Sequence, residues 1–119
     1  MKKGELSVSI KQVREAKFAL GQIVKHRVHG FRGVIHDVDP EFANTEAWYQ
    51  AIPKEVRPAK EQPFYHLFAV GEAGPYEAYV SEQNLLPDAE SGPVTHPMVE
   101  RLFSGLRGDR YIGNRTRPN

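Results

Sequence analysis

The sequence predicts a mainly β domain, a small antiparallel barrel with a short helix after the second strand and a second helix near the C-terminus. Three observations predict it. Four or five short period-two segments fall between residues 17 and 87, glycine and proline punctuate the joins between them, and so many short strands hide their edges best by closing on themselves. A chain of 119 residues lies in the size range of one domain with one core. With 39% hydrophobic and 26% charged residues, it has the composition of a folded globular protein.

Residues 1–16 alternate at Leu6, Val8 and Ile10 and then turn polar, which fits either an extra strand or an arm. The barrel domain is expected over residues 17–107. Phe18 and Leu20 lead to Gly21, after which Val24, His26 and Val28 share one side of the first strand. Gly30 suits the positive φ of a turn. The next strand runs from Gly33 to Pro40, with Val34, His36 and Val38 facing one way and Ile35, Asp37 and Asp39 the other. Asn44 is placed to cap a short helix from Thr45 to Ile52, and Pro53 to stop it. The charged, proline-rich stretch from Pro53 to Pro63 reads as an exposed loop. Phe64 to Val70 and Tyr76 to Val80 form the clearest hairpin, turning at Gly71 to Pro75. Leu85-Leu86-Pro87 reads as a short closing strand or a helical turn. Met98, Val99, Leu102, Phe103 and Leu106 recur at helical spacing, and Gly108 would end that helix. The arginine-bearing residues 108–119 are expected to form a mobile basic tail.

The absence of cysteine excludes disulfides and thiolate metal sites, and points to a reducing compartment such as the cytoplasm. No apolar run approaches the roughly 18 residues of a membrane span, so a membrane partner is not expected. The formal charge of +1 gives the whole molecule little pull on a polyanion. Nucleic-acid binding would therefore need a local patch, and Lys25, Arg27 and Arg32 with Phe31 between them supply one, cations for phosphates and a ring for stacking. The plain alternative is a solvated charged face.

His26 and His29 are poorly placed to chelate on an extended segment. A zinc site would need Asp37 or Asp39 to converge with His36 or His66, which nothing in the spacing demands, so neither metal nor cofactor is expected. No nucleophile elbow, phosphate loop or paired-histidine helix motif is present. A catalytic alternative would pair His66 with Asp37 or Asp39, but binding is the expected activity. Self-association through a strand edge or the helical stripe is a further option.

Phe18-Ala19-Leu20-Gly21-Gln22-Ile23-Val24-Lys25-His26, continued by Phe31 to Pro40, then Pro63 to Leu67, then Tyr79 to Leu85, resembles the heat-shock protein HspQ family. This is also called the YccV-like or hemimethylated-DNA-binding domain. The likeness covers roughly residues 16 to 100, and Asp39 to Glu46 looks like the alphaproteobacterial form. The resemblance implies an SH3-like barrel in a bacterial cytoplasm, tied to heat stress. Two roles come with it: promoting breakdown of particular proteins, such as the replication initiator DnaA, by the Lon protease, and binding hemimethylated DNA near the replication origin. The matching motif residues, Gly21, His26, Gly30, Gly33, Asp37, Pro40, Tyr65 and His66, suit barrel turns and packing as well as recognition. The chain departs from the pattern at His36, where an apolar residue is more usual, and in its longer N-terminal arm.

Overall fold

In the computed structural model, residues 15–113 are described. Five strands, β1 (Ile23–His26), β2 (Arg32–Asp39), β3 (Phe64–Gly71), β4 (Gly74–Ser81) and β5 (Leu85–Pro87), form one antiparallel sheet in the order β4-β3-β2-β1-β5. A helix α1 (Glu46–Gln50) lies in the long β2–β3 connection, and a 3-10 turn (Glu82–Asn84) joins β4 to β5. Helix α2 (Pro97–Leu102) is followed by a hairpin of β6 (Gly105–Arg107) and β7 (Arg110–Ile112). The expected mainly β architecture is present. The ladder itself does not close, because β5 pairs with β1 and leaves β4 with β3 as its one neighbour.

Both faces of the sheet are buried. One core gathers Val24, Ile35, Tyr65, Leu67, Val80 and Leu85, and the other gathers Ile23, Val34, Phe68, Val94 and Val99. Consecutive residues thus point into different cores, which explains the apolar doublets Ile23-Val24 and Val34-Ile35. α2 and the C-terminal hairpin cover the second core through Met98, Leu102, Phe103 and Tyr111.

Four local readings are corrected. Val28 lies beyond β1 in the turn, 65% exposed, because Gly30 N–H returns to His26 O and closes the turn early. β2 carries a bulge between Ile35 and Asp37, so that Ile35 pairs with Leu67 and Asp37 with His66. One unpaired residue reverses the facing of everything after it, and Val38 joins Ile35's core instead of Val34's. α1 is capped by Thr45, whose hydroxyl accepts from Trp48 N–H, whereas the Asn44 side chain accepts from Thr45 N–H. The expected helix through Leu106 stops at Leu102, where Phe103 is already extended. Gly105 disfavours continuation, and Gly108, at φ 68°, turns a hairpin whose N–H and C=O groups are satisfied by pairing. Arg110 therefore sits in a strand, in the stretch expected as tail. The arm's residues 1–14 and the tail's 114–119 lie outside the described residues.

His96 starts α2: its Nδ1 accepts from Met98 N–H at 3.1 Å, and Pro97 follows in the position where a missing N–H is harmless. Gly21 ties the far ends together. Its N–H reaches Ile35 O and its carbonyl accepts from Tyr111 N–H, both at 2.7 Å. A side chain there would collide with Tyr111 O, at a φ of 87° that already favours glycine.

Candidate functional site

The predicted cationic patch divides on inspection. Arg32 is held by Asp88, its Nε 2.6 Å from Oδ2, and its other nitrogens donate to the carbonyls of Gly92 and Pro93. Burial alone would raise the Asp88 carboxyl, but bonds from Arg32 and Ser91 more than offset it and hold the pKa below the usual carboxylate range. This arginine is committed to the fold. Arg27 donates to Gln83 O and Asn84 Oδ1, fastening the β1–β2 turn to the 3-10 turn. Phe31 packs into the first core against His26 and Tyr76. Lys25 stays exposed.

Several of the family-motif positions hold the fold together. His26 Nδ1 accepts from the N–H groups of both Val28 and His29, 3.1 and 3.0 Å away, so the turn is built on an unprotonated nitrogen. Burial, His29 and Arg27 all lower its pKa. Gly30 takes φ 79° in the same turn, and a Cβ on Gly33 would press on Phe68 O and Leu67. Tyr65 is fully buried; its hydroxyl donates to Glu82 Oε2 at 2.7 Å and accepts from Phe18 N–H. Burial, then the bond to Glu82, raises its pKa strongly. Pro40 is an exposed residue just past β2.

What the sequence reading missed is a groove of about 530 Å³ running beside β4. It lies between the β1–β2 turn, the α1 region and the 3-10 turn, with Phe31, Ala78 and Val80 among its apolar lining. Trp48, Tyr76, Val28 and Val56 stand exposed along it, the last two by 65% and 63%. Exposed apolar surface of this kind, gathered around an edge strand, marks binding surfaces. Its wall is braced by an aromatic cluster in which Phe42 meets Trp48, Tyr49, Phe64 and Tyr79. Arg57, beside the groove, is occupied by the carbonyls of Gln50 and Ile52. The signal was present in Trp48 and Tyr76, but only the register shows that they share a groove.

A second constellation sits at the end of β2. The bulge sets Asp37 opposite His66, and Asp39 Oδ2 lies 3.0 Å from His66 Nε2 while also accepting from Tyr79 OH at 2.8 Å. Burial and that bond raise the Tyr79 pKa strongly. His36 stacks on Phe68 at 3.9 Å, and burial is the main influence lowering its pKa. It takes the place of an apolar wall residue by lying flat on another ring.

The family model described as "Hemimethylated DNA-binding protein YccV like" matches residues 16–110. The chain belongs to this family. The match starts just before the Phe18–Tyr65 contact and ends within β7, so the YccV-like unit includes α2 and most of the C-terminal hairpin. Among curated proteins, the chain is 31% identical over 119 residues to F-box only protein 21 of Homo sapiens, of Mus musculus and of Pongo abelii, covering 95% of this chain. It spans under a fifth of the length of these relatives, 18% of the human and mouse proteins and 19% of the orangutan one. No helix among the described residues is long and apolar enough to cross a membrane.

Proposed function

We propose that this YccV-like chain is a docking module without chemistry of its own, which seats an extended apolar segment of a protein and hands that protein to a protease. The groove beside β4 carries the reading. An edge strand offers unpaired N–H and C=O groups to an incoming strand, and neighbouring apolar surface gives the added strand its affinity. Val28, Val56 and Trp48 are the contacts such a segment would find. Segments of this type are exposed when proteins unfold, which suits a role in heat stress. The resemblance to the HspQ family names the partner protease as Lon, with DnaA among the substrates, in a bacterial cytoplasm.

The test is degradation of an unfolded substrate by purified Lon, with and without this chain. The wild-type chain should speed degradation and the Val56→Asp chain should not. Val56 is exposed, so the variant keeps its fold. Binding of a labelled apolar peptide should weaken about tenfold, the equivalent of 1.4 kcal/mol. Equal stimulation by both chains would sink the reading.

A second reading, DNA binding, is favoured by the family's description and by the cations that keep outward positions, Lys25 on β1 and Arg107 and Arg110 on the C-terminal hairpin. Three neutralised phosphates would give log K a slope of about −2.7 against log salt, and Lys25→Ala would flatten it by about 0.9. Hemimethylated and unmethylated duplexes, compared by anisotropy across salt, separate this reading from docking. A salt-independent affinity removes it.

A further inference from the structure

We propose that Asp37, Asp39 and His66 form a binding site for a divalent transition-metal ion, with Zn²⁺ the best match to its donors. One carboxylate oxygen from each aspartate and one imidazole nitrogen lie within 4.8 Å of one another. The closest pair, Asp39 Oδ2 and His66 Nε2, is at 3.0 Å, about the separation of two ligands that share a first-row ion at roughly 2.0–2.2 Å from each.

The bulge is what assembles the three. In an unbroken ladder His36 would stand opposite His66 and both aspartates would face away from it. With one residue unpaired, Asp37 is cross-strand from His66 and Asp39 follows on the same face. Bulges recur where a strand must re-aim side chains at a site. Support behind the donors is also in place. Tyr79 OH donates to Asp39 Oδ2 and accepts from Ala43 N–H, fixing the carboxylate against the β2–β3 connection, the kind of outer contact that orients metal ligands. Asp37 Oδ1 accepts from Val38 N–H, which leaves its other oxygen to turn toward the ion. Among the described residues no lysine or arginine forms an ion pair with either aspartate, so two carboxylates gather around one imidazole and a dication would relieve their repulsion.

One nitrogen and two oxygens suit zinc or a neighbouring ion better than magnesium, which takes oxygen donors and keeps its waters. Three protein ligands leave the solvent side to water or to a partner's own donor. Because Asp37 is exposed and Asp39 half-buried, the ion exchanges readily. Its effect would be to clamp the end of β2 to β3 beside the aromatic wall of the groove. The site does not depend on what the groove binds.

The experiment is titration of the full chain with ZnCl₂ and with MgCl₂, followed by calorimetry and by the imidazole ¹⁵N signals of the five histidines. Zinc should saturate near one equivalent, shift His66 Nε2 and raise the melting temperature, and magnesium should do none of these. Asp37→Asn, an exposed and fold-neutral change, should weaken zinc binding by at least about tenfold, since altering even outer contacts costs that much. His66→Gln should abolish the shift, while His29→Gln should leave affinity unchanged. The proposal is overturned if zinc binds as tightly to Asp37→Asn as to wild type, if binding disappears with His29→Gln, or if no saturable binding occurs.

Discussion

At its first residue β2 carries Arg32, and at its far end it carries Asp37 and Asp39, and the two ends treat charge in opposite ways. Arg32 meets Asp88 and two carbonyls, so its cation is matched inside the fold. Asp39 meets one imidazole and a tyrosine hydroxyl, and the exposed Asp37 carboxylate accepts from Val38 N–H, so among the described residues neither aspartate is matched by a lysine or arginine. Both looked alike as surface charges in the sequence. The difference teaches that a charged residue becomes available for binding only when the rest of the chain brings it no partner. That partner can lie 56 residues away, as Asp88 does from Arg32.

The largest test of this contrast is Arg32→Ala. It strands the Asp88 carboxylate, which is only 6% exposed, and should cost roughly 2–3 kcal/mol in denaturant unfolding, somewhat less than a fully buried broken pair because Arg32 itself is partly solvated. A midpoint equal to wild type would erase the distinction between the two ends. Tyr65→Phe removes the hydroxyl shared by Glu82 and Phe18 N–H and should lower stability by about 1–2 kcal/mol. No change would mean that the tie from the sheet to the segment before β1 carries no weight.

A pH effect comes next. Folded His26 resists protonation, whereas the unfolded chain takes the proton near pH 6.5. As pH falls the unfolded state binds the proton first, so stability should decline from about pH 6.5 downward and level off once the folded imidazole is protonated too. NMR titration should place the His26 pKa below that of the unfolded reference. A value at or above it would mean that the nitrogen is not needed as an acceptor for the β1–β2 turn. The smallest effect is Asp37→Asn in metal-free buffer, expected within about 0.5 kcal/mol of wild type. A clear gain in stability would show that repulsion at the open end of β2 is already costly.

The β3–β4 hairpin was legible because Phe64 to Val70 and Tyr76 to Val80 alternate around a glycine-bounded turn. Short strands, the helix after β2 and a helix beginning near Pro97 could be read in the same way. The bulge at His36 could not, since the apolar doublet Val34-Ile35 starts both phases of the alternation and Val38 continues either one. Asp37 and Asp39 were seen to share a face, but their meeting with His66 depends on cross-strand register. The stripe from Met98 to Leu106 was read too far because helical spacing continued by coincidence into β6. Of the candidate contacts, Arg27 and Arg32 were read as a patch for phosphates, and what they bond to within the fold, carbonyls and distant side chains, leaves no trace in the local sequence.

The bonds from Gly21 and Ile23 to Tyr111 and Asp109 also set an order of events during synthesis. The second core stays uncovered until α2 and the last hairpin have left the ribosome, because Ile23, Val34 and Phe68 are sheltered by residues about seventy to ninety positions after the first of them. Contacts of such sequence separation form late and leave apolar surface open meanwhile. A nascent chain stalled before β6 would itself be an unfolded apolar client, the very class of segment that its own finished groove is proposed to hold.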